Sequence, residues 1–408
     1  MLTIGTIPRK LKGFFTPVRD QFAAPAFAHF WRLVLAITVS HGATLERLSA
    51  LLRDSTHRTK HGEFLWKSLW DESWVVQAIA LDTLRRLYRR DGGPCYLIID
   101  ETQTLKRAKK MSGVSTLYHH ATGKYGTGHT ILKVCLFYRG VTIPLGSWLW
   151  LTPEHARKET LPFVTLTGLA ALAIRNAVLP AHLTVRVLFD AYYLCGVVAQ
   201  ACRARGWHYI GVAKSNRNLV IRGVKHRVDS FGRNVLQRDG RWHRIPGLRR
   251  RGLYQVAERV GWMKKLGEVK VVFSQRRGDR KRVALVTDDL GAPAKQVVGD
   301  YLKRWAIELL IKDEKQHLGL GDYRVLRYRA VVRHLALVDV AYACLTHLAL
   351  KDQRAQGHHK NKNVLRLAPI SQLKARMRQV VWQETVKDVV KHSHEKPVIR
   401  RLEKLLAA

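Results

Sequence analysis

Acidic residues are what this chain has least of. Its 408 residues carry 71 lysines and arginines against 31 aspartates and glutamates, a formal net charge of +40. That surplus is far beyond what solubility asks for and calls for a polyanionic partner. Nucleic acid is the foremost candidate. Long apolar runs are missing too. The most apolar early stretch, residues 23–39, is interrupted by Pro25, His29 and Arg32, and no unbroken span of about 18 apolar residues offers a membrane crossing. Residues 1–15 lack an apolar signal core, so the expectation is a cytosolic protein with no membrane partner. The five cysteines show no CxxC spacing and the 19 histidines no HExxH or finger spacing, which speaks against a zinc site. There is no GxxxxGK[ST] loop, so no ATP requirement is indicated.

Scarcity makes the remaining acids informative. No acid lies between Glu101 and Glu154, and Asp190 is alone between Glu159 and Asp229. Asp190 closes the apolar run Leu183–Phe189, and Asp100 closes a similar run, Cys95–Ile99. Both runs read as buried strands. A carboxylate at the end of a buried strand is costly to desolvate unless it is paired or binds a metal. For Asp190, capping of a following helix over 192–205 is an alternative. For Asp100 it is weaker, because 102–110 has no helical period.

The segment Tyr301–Lys315 reads as a helix. At about 100° per residue, Tyr301, Arg304, Glu308 and Lys315 fall within an arc of roughly 60°, with Lys312 beside them. A carboxylate between cations on one stripe suits a metal ligand flanked by phosphate-holding groups; a solvated face with incidental ion pairs is the other reading. Asp313 and Glu314 point away from the stripe and are expected to be solvated. Glu101 should face the opposite side of its strand from Asp100.

With Asp100 and Asp190, Glu308 completes a set of three carboxylates, and here the chain resembles a family. The spacing Tyr301-(2)-Arg304-(3)-Glu308-(6)-Lys315 is similar to the signature of one branch of DDE insertion-sequence transposases. The resemblance extends to Asp100-Glu101-Thr102, the Phe189-Asp190 strand end and Lys315–Leu320, and covers about residues 95 to 345. It implies a ribonuclease-H-like mixed α/β sheet with a β-rich insertion between the second Asp and the Glu, and helical regions at both ends. It implies that Asp100, Asp190 and Glu308 are catalytic and hold two Mg²⁺ ions, with Mn²⁺ as a substitute. Tyr301, Arg304, Lys315 and Lys312 would grip phosphates. The partners would be double-stranded DNA, as terminal inverted repeats and target, and a second copy of the chain at paired ends. The activity implied is cleavage at element ends and transfer of 3′-hydroxyls into target DNA. Two alternatives are a nuclease of this fold without strand transfer and a catalytically silent DNA-binding descendant.

Organisation follows composition. Residues 1–90 read as a helical, DNA-binding region: helical periods over 44–52 and 74–88 flank the basic, turn-like 53–62, either a helix-turn-helix or a plain helical cap. Residues 91–214 read as the first part of the core. Its strands are 95–100, 130–138, 141–150, 185–190 and 207–213, its helices 159–177 and 192–205, and a loop spans 105–127. Residues 215–290 hold 20 lysines and arginines against 7 acids and read as a basic β-rich insertion forming its own lobe. Arg249, Arg250 and Arg251 would line a DNA channel there, and Trp242 or Trp262 would stack on a flipped base unless packed in a core. Residues 291–350 complete the core, and 351–408 form a basic helical tail.

Overall fold

The computed structural model describes residues 4–52, 57–108, 110–119, 122–246, 251–355 and 364–391. The strand begun at Cys95 does not stop at the aspartate. β1 spans Cys95–Leu105, so Asp100 lies mid-strand, because Thr102 and Thr104 alternate inward and keep the strand packed. The expected loop 105–127 contains a second strand, β2 (Ser115–His119), hairpinned to β3 (Lys124–Tyr138). β3 turns into β4 (Val141–Trp150) through Arg139 and Gly140, both at positive φ. That is the two-residue geometry whose twist matches an antiparallel hairpin. β5 (Val185–Phe189) and β6 (His208–Val212) follow.

β1 pairs antiparallel with β3 and parallel with β5, and β5 pairs parallel with β6. With β4 on β3, the order β4-β3-β1-β5-β6 is that of a ribonuclease-H-like mixed sheet, as expected. The insertion contributes β7 (Asn218–Ile221), β8 (Val224–Arg227), β9 (Arg241–Pro246), β10 (Arg251–Met263), β11 (Gly267–Arg276) and β12 (Arg282–Thr287), with a helix over Val228–Asp239. It is β-rich but not a lobe apart: β12 pairs antiparallel with β6, so it continues the core into one 12-stranded sheet.

Other boundaries shift. The expected helix over 159–177 starts only at Leu166, capped by the Thr165 hydroxyl, and ends at Asn176; a separate short helix, Pro153–Lys158, precedes the expected span. The helix after Asp190 starts only at Gly196. The second half of the basic stretch 53–62 is helical, within Arg58–Lys67; residues 53–56 lie outside the described residues. The boundary drawn at 350 falls inside the helix Tyr328–Ala355. That helix has the length and hydropathy to cross a membrane, yet its whole apolar window is buried in the fold.

The sheet has two packed faces. Tyr96, Ile98, Ile131 and Cys135 share one core with the helices Ala24–Val39, Trp305–Asp313 and Tyr328–Ala355. Leu97, Ile99, Leu132 and Val134 share the other with Leu166–Asn176 and Gly196–Ala204. Each fully buried large aliphatic side chain contributes about 1.5–3 kcal/mol, so the long central helix anchors the first face. The N-terminal helices belong to that same core, except that Ala80, Leu84 and Leu87 of the helix Glu72–Leu87 pack in the other.

Candidate active site

The parallel register pairs Ile98 with Leu188; carried two residues on, it sets Asp100 beside Asp190 on strands about 4.8 Å apart. The Asp190 carboxylate accepts the backbone amides of Tyr192 at 2.8 Å and Tyr193 at 3.4 Å. It therefore organises the turn after β5 rather than capping a helix, since the N-cap of Gly196–Ala204 is Cys195. Glu308 comes from the opposite direction, on the helix Trp305–Asp313.

Arg304 joins the two sides. Its Nη1 donates to Asp100 Oδ2 at 2.9 Å and its Nη2 to Glu308 Oε1. This guanidinium, expected to face phosphate, lies between the carboxylates as their internal counter-cation. Burial pushes the Asp100 carboxyl up to about 7; Arg304 opposes this, while the negative charges of Glu101 and Asp190 reinforce it. The influence of Asp190 on Asp100 and on Tyr301 places all three in one electrostatic cluster. Among the described residues, no three His, Cys, Asp or Glu side chains stand grouped ready for a metal ion. Arg304 instead bridges two of the acids, its two donors engaging Asp100 and Glu308.

The stripe is not one continuous α-helix. Tyr301 ends the helix Ala294–Tyr301, a 3₁₀ turn covers Leu302–Arg304, and a π turn covers Glu314–Leu318. In a 3₁₀ turn residues three apart eclipse, which brings the Arg304 guanidinium over the Tyr301 ring at 5.9 Å. Burial pushes the Tyr301 hydroxyl up to about 12. Lys315, in the π turn, donates to the Gln103 carbonyl of β1 at 2.8 Å. Lys312 is exposed. The π turn ends on Gly319 at φ +70, where an added Cβ would come within 2.5 Å of the Ala43 side chain.

Glu314 is the clear correction. It is wholly buried, not solvated, with Oε2 2.7 Å from the equally buried Lys133 Nζ. Lys133 also donates to Asp339 and, at 2.7 Å, to Ser147. Complete burial raises the Glu314 carboxyl above the ordinary range, with Lys133 opposing. Lys133 is the β3 residue paired with Asp100, so this sealed cluster underlies the open one. Glu101 does face the other core, accepting from the Tyr193 hydroxyl at 2.6 Å.

Trp242 and Trp262 are both about half exposed, not packed in a core. Trp262 lies on β10, four strand positions from β5, about 19 Å across the sheet. Arg249 and Arg250 lie outside the described residues, and Arg251 begins β10. Two exposed aromatics stand nearer the carboxylates and were missed in the sequence: Tyr192, two residues after Asp190, and Trp305, next to Arg304. Adjacency to those charged residues was the available signal. Asp300 was missed as well. It accepts the Tyr96 hydroxyl at 2.6 Å and is paired with Lys303 and Arg186, which fastens the segment before Arg304 to β1 and β5.

A ribonuclease-H-like sheet with carboxylates on its two adjoining central strands, and a third from a helix, defines a class of phosphodiester-cleaving enzymes. The chain belongs to the DDE superfamily endonucleases, whose family profile matches residues 33–246, just over half of its length. The profile of the transposase DDE domain matches residues 166–344. No curated protein matches the chain. It is thus an enzyme of the transposase and endonuclease type that acts on DNA, in a superfamily that generally uses divalent metal ions.

Proposed function

We propose that the chain is an insertion-sequence transposase of the branch carrying the Tyr301–Arg304–Glu308–Lys315 spacing. It cuts DNA at its element's ends and joins the 3′-hydroxyls to target DNA. Asp100, Asp190 and Glu308 are the catalytic carboxylates and would hold two Mg²⁺ ions, or Mn²⁺. The observation that carries this reading is Arg304 bonded to both Asp100 and Glu308 beside Asp190. A guanidinium engaging two acids, with a third acting on the first, marks a donor set short of positive charge. Its hard oxygen donors fit Mg²⁺. Ions bound there supply activation of the attacking oxygen and stabilisation of the leaving oxygen.

The residues of the chain do the rest. Asp100 must lose its proton before it can act as a ligand. Arg304, once released from the carboxylates, pairs with phosphate oxygens together with Lys315, Tyr301 and Lys312. Tyr192 and Trp305 offer flat apolar faces at the mouth of the site. Residues 1–90 and the basic insertion 215–290, with Arg249, Arg250, Arg251, Trp242 and Trp262, would hold DNA outside the scissile bond. Cutting two ends requires two active sites, so a homodimer on paired ends is part of the proposal.

The test is cleavage and joining of DNA flanking the gene itself, in Mg²⁺, by the parent and by Asp100→Asn, Asp190→Asn and Glu308→Gln. The expected result is loss of cut and joined products with DNA binding retained. Cleavage at the parental rate by any of the three removes that carboxylate from the site. Cutting without joining moves the reading to a nuclease.

A further inference from the structure

A second basic site lies away from the carboxylates. Four elements far apart in sequence converge on a cleft of about 970 Å³. The helix Arg58–Lys67 brings Trp66 and Lys67, the segment after β1 brings Lys110, the helix Pro153–Lys158 brings Lys158, and the start of Tyr328–Ala355 brings Arg327 and Arg329. Five lysines and arginines line it against one acid, Glu159. That acid is engaged, accepting the Ser112 hydroxyl at 2.6 Å.

The floor of the cleft is built. The Ser112 amide donates to the Leu326 carbonyl at 2.8 Å, and its carbonyl meets His129 Nε2 at 2.9 Å. His129 is fully buried, with its other ring nitrogen 2.6 Å from the Tyr323 hydroxyl. One wall is set by the Arg327 guanidinium stacked 3.6 Å over the Trp66 ring, leaving the donors of its edge free of that contact. Lys67 and Lys158 have carboxylate neighbours, Glu63 at 3.5 Å and Glu154 at 2.8 Å. Both are exposed ion pairs, worth about 0–1 kcal/mol and readily exchanged for phosphate.

Position gives the cleft a meaning. Beyond Asp100, β1 runs five residues to Leu105, a rise of about 17 Å. Lys315 stands along that path at Gln103, and the cleft floor reaches the same stretch, because His129, which meets the Ser112 carbonyl, pairs with Thr104 of β1. Duplex DNA advances about 3.4 Å per base pair, so the four residues from Asp100 to Thr104, about 13 Å along the strand, correspond to roughly four base pairs.

We propose that this cleft grips the sugar–phosphate backbone of duplex DNA flanking the cleaved position, with Lys110, Lys158, Arg327 and Arg329 as phosphate contacts and the Arg327–Trp66 stack as its rigid wall. The proposal rests on the reading of the chain as a DNA-cutting transposase and extends it to a site no motif marks. The test is lysine acetylation of the wild-type protein, read by mass spectrometry, with and without a random-sequence duplex of about 30 base pairs and no divalent ion. Protection of Lys110, Lys158 and Lys315 is expected. A triple variant, Lys110→Ala/Lys158→Ala/Arg329→Ala, should reduce the salt slope of duplex binding by about 2–3 units. Unchanged acetylation of Lys110 and Lys158 while Lys315 is protected overturns the cleft and leaves the enzyme reading standing. No protection of any of the three, with no binding of duplex, overturns both.

Discussion

Two carboxylates six residues apart on one continuous run, Glu308 and Glu314, have opposite fates. Each meets a cation that also holds an aspartate: Arg304 with Asp100, and Lys133 with Asp339. The first cluster is partly open to solvent; in the second, Lys133, Glu314 and Asp339 are wholly buried. Burial of unbalanced acid raises a carboxyl in each, Asp100 in one and Glu314 in the other. What differs is access. An open cluster can exchange its cation for a metal ion, which frees the guanidinium for phosphate, whereas a sealed one can only hold elements together. The open and the sealed cluster are thus only six residues apart, one on the helix Trp305–Asp313 and the other in the π turn that follows it.

Substitution should separate them in measurement. If Glu308 is the metal ligand proposed above, Glu308→Gln removes several kcal/mol of transition-state stabilisation. It should lower the cleavage rate at least about 10³-fold, since each 1.36 kcal/mol is tenfold, with little change in Tm. A Glu308→Gln enzyme that cuts within about tenfold of the parent would break the comparison. Lys133→Ala should do the reverse. It strands Asp339 in the core, at a cost of about 3–5 kcal/mol, read as a fall in denaturation midpoint, while the folded fraction still cleaves. Glu314→Gln, which keeps the shape and an acceptor for Lys133 while Asp339 still balances that lysine, should cost less than Lys133→Ala.

The sequence disclosed the open cluster better than the sealed one, for a physical reason. Asp100 and Asp190 stood out as single acids in apolar runs, and Glu308 by its helical phase with Tyr301 and Arg304. The same argument applies to Asp339 within Leu335–Val340 and to the lone cation Lys133 within Ile131–Phe137. An isolated charge in an apolar run announces burial. It does not announce whether the compensating partner is a metal or a lysine 206 residues away. Glu314 was misjudged because its neighbours Asp313 and Lys315 are charged, and the π turn that swings it inward has no clear local signature. The central sheet order was legible from the strand–helix alternation. The junction of β12 with β6 was not, because only long-range pairing decides whether an insertion stands apart or extends a sheet. The cleft at Lys110 was invisible for the same reason.

Titration sharpens the contrast. Asp100 has its folded pKa raised to about 7 from an ordinary 3.8, chiefly by burial. The metal-free folded state therefore binds this proton more tightly than the unfolded chain. Stability from this group is full below about pH 4 and is lost as pH rises through about 7, a difference of about 4 kcal/mol. Measured against Asp100→Asn, the apo parent should be relatively more stable at pH 5 than at pH 8; buried His61, His129, His334 and His347, each lowered to about 4 by burial, contribute with the opposite sign in both proteins. Asp100→Asn should remove part of that slope, and Glu314→Gln another part of the same sign. In the parent, cleavage should rise with pH up to about 7, because a protonated Asp100 cannot ligate a metal. An Asp100→Asn variant whose melting temperature follows pH as the parent's does would dispose of the raised carboxyl in the open cluster.

The smallest expected effect concerns Arg304 itself. In the metal-free state its two Nη donors are committed to Asp100 and Glu308, so it has no free fork for phosphate. Lys315 is bonded only to a backbone carbonyl, a contact that phosphate readily displaces. Replacing Lys315 with Ala should therefore lower the salt slope of DNA binding by about one unit whether or not a divalent ion is present. Arg304→Ala should leave the slope unchanged in chelator and lower it by about one unit in Ca²⁺, a cation that takes over the carboxylates and frees the guanidinium. Binding isotherms for both variants at several salt concentrations, with chelator and with Ca²⁺, decide the matter. An equal loss for Arg304→Ala under both conditions would mean that the arginine already serves DNA in the metal-free state. Its role as the internal counter-cation of the open cluster would then have to be given up.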